Sequence, residues 1–236
     1  MHIVQTVAKF LTVTAAASIG SAATVRSRST QLVARDTPFA DLDLSNDFWG
    51  TADTYCTNGF TSKRDLSHVQ ARVPSPPDGY DNVPPNNYVG YFNAVTKGLW
   101  TNFLVSCFGV VITGDTDNIV SKDKFLAHFY ATSGGLDNLW GALKQEVQAQ
   151  GLTNLRAWLS APDTSEPGRL DPAVMQTVED TMKGLLKDLT GQDPTVRHHR
   201  MSDASNYVGN WGTMQVNGMD KTVMIDGNLV EFGSPE

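Results

Sequence analysis

Two apolar runs joined by a turn constrain this chain more than any other feature. Thr101–Thr113 reads TNFLVSCFGVVIT, and Phe125–Ala131 reads FLAHFYA. Both are rich in aromatic and β-branched residues and too short for amphipathic helices, so they read as buried strands, the first as one strand or two short ones. Gly114-Asp115-Thr116-Asp117-Asn118 lies between them and carries turn chemistry throughout. Strands this apolar are buried, so the rest of the sequence must supply their cover.

The remaining pattern supplies that cover. Ser133-Gly134-Gly135 interrupts the second run and leads into a helix whose Leu136, Leu139, Trp140, Leu143 and Val147 share one face. It ends near Gly151. Leu152–Leu159 is ambiguous by periodicity and reads best as a strand. Asp171-Pro172 is an N-cap followed by proline at the first helical position, and Gly191 is a stop signal. Between them Val174, Met175, Val178, Met182, Leu185, Leu186 and Leu189 make an apolar stripe. Pro194–Met201, Gly212–Val216, Thr222–Asp226 and Leu229–Phe232 are short strand candidates between Asn, Gly and Asp turns. Two helices among about six strands predict an α/β fold with an antiparallel or mixed sheet covered by helices.

The N-terminus reads as an address. Residues 1–23 contain one charge, Lys9, then an apolar stretch from Phe10 to Ile19, with small residues Ser21 and Ala23 before the expected cut. This is the layout of a secretory signal peptide. Residues 24–36 are polar and unpatterned, as in a flexible tail or pro-segment. Residues 37–98 form an N-terminal elaboration that contains a proline-rich loop from residue 74 to 87. The main domain is expected over 99–236. With 18 basic against 25 acidic residues the net charge is −7, which supplies no basic field for nucleic acid or an anionic membrane. Beyond the signal no apolar run is long enough to span a bilayer, so no stable membrane insertion is expected. Neither a cofactor nor a metal is called for, and a monomer is expected.

Chemistry concentrates at Cys107 and His128. Each sits inside one of the two apolar runs, and a hairpin can set them side by side. An imidazole beside a thiol takes its proton and makes a thiolate nucleophile. A third group must orient the ring by accepting its other N–H, and Thr101 is available for that. Secretion leads to an oxidising compartment, where a buried cysteine is most often bridged. Cys56 is the only other cysteine, so a Cys56–Cys107 disulfide is the competing reading. The other histidines carry less. His68 is in a weakly patterned stretch. His198 and His199 point to opposite faces of a strand and cannot share a metal, so they read as a polar strand surface.

Thr101-Asn-Phe-Leu-Val-Ser-Cys107 resembles the Thr-x-Gly-x-Gly-Ser-Cys run of the chemoreceptor glutamine deamidase family (CheD). Ala127-His128-Phe129, followed by Ser133-Gly134-Gly135 and a helix, is similar to the segment that follows in that family. The same Cys–His core occurs in the cytotoxic necrotizing factor toxins, which deamidate glutamine on host GTPases. The resemblance implies a helix-covered β-sandwich with nucleophile Cys107, base His128 and orienting Thr101. It also implies a deamidase acting on exposed glutamines of a protein substrate, which together with the signal peptide gives the expectation of a secreted toxin or effector delivered into another cell. Phe103 and Val105 stand where the family has glycines, and the Cys–His hairpin is a few residues longer. Two other readings compete. One is a non-catalytic secreted interaction protein with a structural Cys56–Cys107 bridge. The other is a thiol peptidase, disfavoured because no Cys-Gly-Ser-Cys-Trp run is present and His128 follows Cys107 too closely.

Overall fold

The computed structural model describes residues 38–39, 42, 75–130, 133–165, 171–199 and 212–235. The expected signal peptide over residues 1–23, the expected tail over 24–36, Cys56 and His68 lie outside the described residues. Among the described residues ten strands and two helices follow in chain order. They are β1 (Tyr80–Asn82), β2 (Asn87–Phe92), β3 (Gly98–Thr101), β4 (Phe108–Asp115), β5 (Lys122–Phe129), α1 (Ser133–Ala149), β6 (Thr153–Pro162), α2 (Pro172–Thr190), β7 (Thr195–His199), β8 (Met214–Val216), β9 (Val223–Ile225) and β10 (Asn228–Leu229).

The strands form two five-stranded sheets of mixed sense, ordered β1-β3-β8-β9-β10 and β2-β5-β4-β6-β7. The β1/β3 and β6/β7 pairs are parallel, and the rest are antiparallel. The apolar 101–113 run therefore divides. Its first residue closes β3 in one sheet, and its second half is β4, the centre of the other.

Side-chain parity explains why β4 and β5 are apolar throughout. Phe108, Val110, Ile112, Phe125, Ala127 and Phe129 face the helices and pack with Leu136, Trp140, Leu143, Val178 and Met182. Val111 and Leu126 face the other way and pack with Leu99, Val216 and Val223 of the second sheet. The α2 boundaries follow the sequence signals closely. Asp171 Oδ1 accepts from the Ala173 and Val174 amides at 2.9 and 3.4 Å, and Gly191 closes the helix at φ +78° with its N–H on the Lys187 carbonyl.

The sequence pattern undercounts the strands. β1 and β2 both precede residue 99 and belong to the two sheets, and Val83 is a core residue. The prolines near them mark the ends of short edge strands rather than one continuous loop. Of the Leu229–Phe232 candidate only Leu229 pairs, as the second residue of β10. Phe39, in the weakly patterned stretch, is buried against the helix-side core, and its amide donates to Asp137 Oδ1 at 2.9 Å.

Candidate active site

His128 lies directly opposite Gly109 across the β4/β5 ladder. Its neighbours in β5, Ala127 and Phe129, face the helices, so parity turns His128 the other way, to the side of Leu126. Cys107, the last residue before β4, belongs to the same core cluster as Leu126, Val111 and Met214. Cys107 and His128 are thus on one face of the sheet, toward the second sheet, and both are fully buried.

The third residue comes from that second sheet. Thr101, at the end of β3, places Oγ1 2.8 Å from His128 Nδ1 and 2.8 Å from the Val83 carbonyl. A carbonyl only accepts, so the single hydroxyl proton goes to Val83. Thr101 must then accept from the ring, which assigns the proton of His128 to Nδ1. Nε2 keeps its lone pair, and it has no hydrogen-bond partner among the described residues. Burial holds the imidazole neutral, pushing its pKa down from 6.5 to about 3. Tyr130 stands edge-on to the ring at 6.4 Å between centroids.

The segment between β3 and β4 carries Cys107 and has no regular structure. Phe103 takes φ +63°, the left-handed region that favours glycine. Phe103 holds this conformation although it is not a glycine. Leu104 N–H donates to the Gly212 carbonyl at 3.0 Å, and Val105 N–H donates back to Phe103 at 2.8 Å, a three-residue turn.

Cys107 is not a free thiol; its sulfur is disulfide-bonded. The chain's only other cysteine is Cys56, which lies outside the described residues.

One sequence expectation is corrected. His198 and His199 do point to opposite faces of β7, but they are not a polar surface. His198 Nε2 meets Glu179 of α2 at 3.0 Å, and His199 is fully buried. His199 Nδ1 is 2.9 Å from Ser160 Oγ, and its Nε2 is 3.2 Å from the Val105 carbonyl. The strand has cover on both sides, α2 on one and the Cys107 segment on the other. Parity offered the signal. Val196 packs on the helix side, which turns His199 toward the second sheet. The Val83 carbonyl, a backbone group brought in by β1, left no trace in the sequence.

Other features lie apart. An open cleft of about 490 Å³ at the far end of β4 is lined by Asp115, Arg156, Trp158, Lys221 and Phe232, among others, and by none of Thr101, Cys107 and His128. Among the described residues no group of three or more His, Cys, Asp or Glu side chains is placed to hold a metal ion. No described helix is long and apolar enough to cross a membrane. No protein-family model matches the chain, and no curated protein matches it.

Proposed function

We propose that the chain is a secreted protein-glutamine deamidase of the CheD type, with Cys107 as nucleophile, His128 as base and Thr101 as the ring-orienting group. The observation that carries this reading is the Thr101–His128 pair. It puts the imidazole proton on Nδ1 and leaves the Nε2 lone pair on the face that carries Cys107. The two-sheet arrangement with helices on one outer face supports the finer reading of a helix-covered β-sandwich. Residues 1–23 support secretion.

In this reading the reduced Cys107 gives its proton to His128 Nε2, and the thiolate attacks the side-chain carboxamide carbon of a substrate glutamine. The imidazolium protonates the departing nitrogen, and ammonia leaves a thioester on Cys107. His128 then takes a proton from water, the hydroxide opens the thioester, and glutamate and the thiol are regenerated. The bonded state of Cys107 makes the enzyme latent. A bridge to Cys56 blocks the nucleophile outside the cell, and two equivalents of a glutathione-type thiol release it in a reducing cytosol, yielding the oxidised thiol pair. A structural bridge in a non-catalytic secreted interaction protein is the second reading, favoured by that same bonded state.

The test is intact mass of a panel of glutamine-bearing proteins incubated with protein reduced by glutathione, each deamidation adding about one dalton. The deamidase reading expects mass gain and ammonia release with the reduced protein, and neither with Cys107→Ala or His128→Ala. If reduced Cys107 alkylates no faster than an ordinary buried thiol and His128→Ala leaves that rate unchanged, the structural-bridge reading stands instead.

A further inference from the structure

The segment that carries Cys107 is also held by a second buried histidine, His199. Asn102–Cys107 spans the gap between the two sheets without ladder hydrogen bonds, and its Phe103 sits in a left-handed conformation that ordinary L residues avoid. Such a conformation persists only where its surroundings over-determine it. Gly212 fixes the segment through the Leu104 amide, and His199 fixes it through the Val105 carbonyl, two residues before the sulfur.

Hydrogen bonding assigns the ring. Val105 offers only an acceptor, so His199 Nε2 carries the proton, and neutral Nδ1 accepts from the Ser160 hydroxyl. Ser160 lies on β6 directly across from Gly109, which in turn lies across from His128. One row through the sheet thus links the base to the residue that seats His199. The two histidines are neutral in opposite tautomers, Nδ1–H for His128 and Nε2–H for His199.

We propose that His199, seated by Ser160, is a positioning residue that clamps the Val105 carbonyl and so holds Cys107 on the Nε2 side of His128. This rests on the deamidase reading above but is testable without substrate. The groups that titrate around the segment are His128 on β5 and His199 on β7, with His198 and Asp163 as the other charged neighbours of His199. β3 and β8 contribute Thr101 and Met214, which do not titrate in this range.

The experiment follows iodoacetamide alkylation of Cys107 against pH in full-length protein reduced by glutathione, with thermal melting recorded for each variant. Burial alone would raise the thiol pKa, and the deamidase reading instead expects an apparent value below the ordinary one of about 8.5 in the unaltered protein. His199→Leu removes the donor and should move that pKa back toward the ordinary value. Alkylation at neutral pH should then slow by about tenfold if the pKa rises by one. His199→Gln keeps an N–H at comparable reach and should restore the rate to within about threefold. Ser160→Ala should fall between the two. His128→Ala separates the two claims. If it moves the profile and His199→Leu does not, the base reading survives and the clamp is refuted. If neither moves it, the base reading itself fails. Should His199→Leu not fold, the His199→Gln and Ser160→Ala profiles decide, and a folded His199→Gln protein with a leucine-like profile overturns the clamp. Labelling of Ser160 by a fluorophosphonate would also overturn it, because Ser160 would then be a nucleophile with His199 as its base.

Discussion

Replacing Thr101 by valine keeps the shape of the side chain and removes one hydroxyl. In the structure that hydroxyl satisfies two buried groups at once, the Val83 carbonyl and His128 Nδ1, each at 2.8 Å. Both partners stay buried in the variant and lose their bond. An orphaned buried polar group costs about 1–3 kcal/mol, so the pair should destabilise the fold by about 2–6 kcal/mol. For a domain of this size that corresponds to roughly 2–4 °C of melting temperature per kcal/mol. Thr101→Ser keeps the hydroxyl and loses one methyl, so it should cost about 1 kcal/mol. The valine variant should also release the ring. Nitrogen-15 shifts of His128 should report Nδ1–H in the unaltered protein and a mixture of tautomers in Thr101→Val. A melting temperature within a degree of the parent, or a His128 tautomer that stays on Nδ1, would refute the assignment. The orienting role would then pass to a backbone carbonyl.

Other outcomes follow from the same physics. His128 and His199 are buried neutral with pKa values of about 3 against 6.5 when unfolded, so the unfolded chain binds more protons below pH 6.5. Their contribution is intact above that value and is lost as pH falls toward 3, the loss reaching about 2 kcal/mol for each ring at pH 5, to be read from urea midpoints at pH 7 and 5. A flat profile over that interval would show that the rings are already solvated. Asp123 is buried between Lys124 at 3.2 Å and Lys221 at 2.7 Å, so Asp123→Ala leaves the buried Lys124 ammonium with the Phe92 carbonyl and no counter-charge, and should destabilise by about 3–5 kcal/mol in urea unfolding. Phe103→Gly and Phe103→Val both remove the ring, and only valine keeps the left-handed penalty at φ +63°. Valine should therefore be the less stable of the two, by about 1–2 kcal/mol, and equal stabilities would place the strain elsewhere.

Local patterns in the sequence determined the two apolar strands, the turn between them, both helices and the caps of α2. These features depend on residues near each other in the chain: the Asp171 cap, the Gly191 stop, and the 3.6-residue stripe from Met175 to Leu186. Parity along β5 also fixed the face that His128 shares with Cys107, once β4 was known to lie beside it. Tertiary structure alone decided the rest. β1 and β2 are short, flanked by prolines and lack strong alternation, so only their backbone pairing with β3 and β5 makes them strands. His199 and Arg197 share a face of β7, yet His199 is buried because the Cys107 segment folds over it, a contact 94 residues apart in sequence. The tautomer of His128 rests on the Val83 carbonyl, which arrives through the parallel β1/β3 pairing. A backbone carbonyl has no residue signature, so no reading of side chains along the chain could have placed it. Packing between the two sheets brings the hydroxyl, the imidazole and that carbonyl into one hydrogen-bonded line.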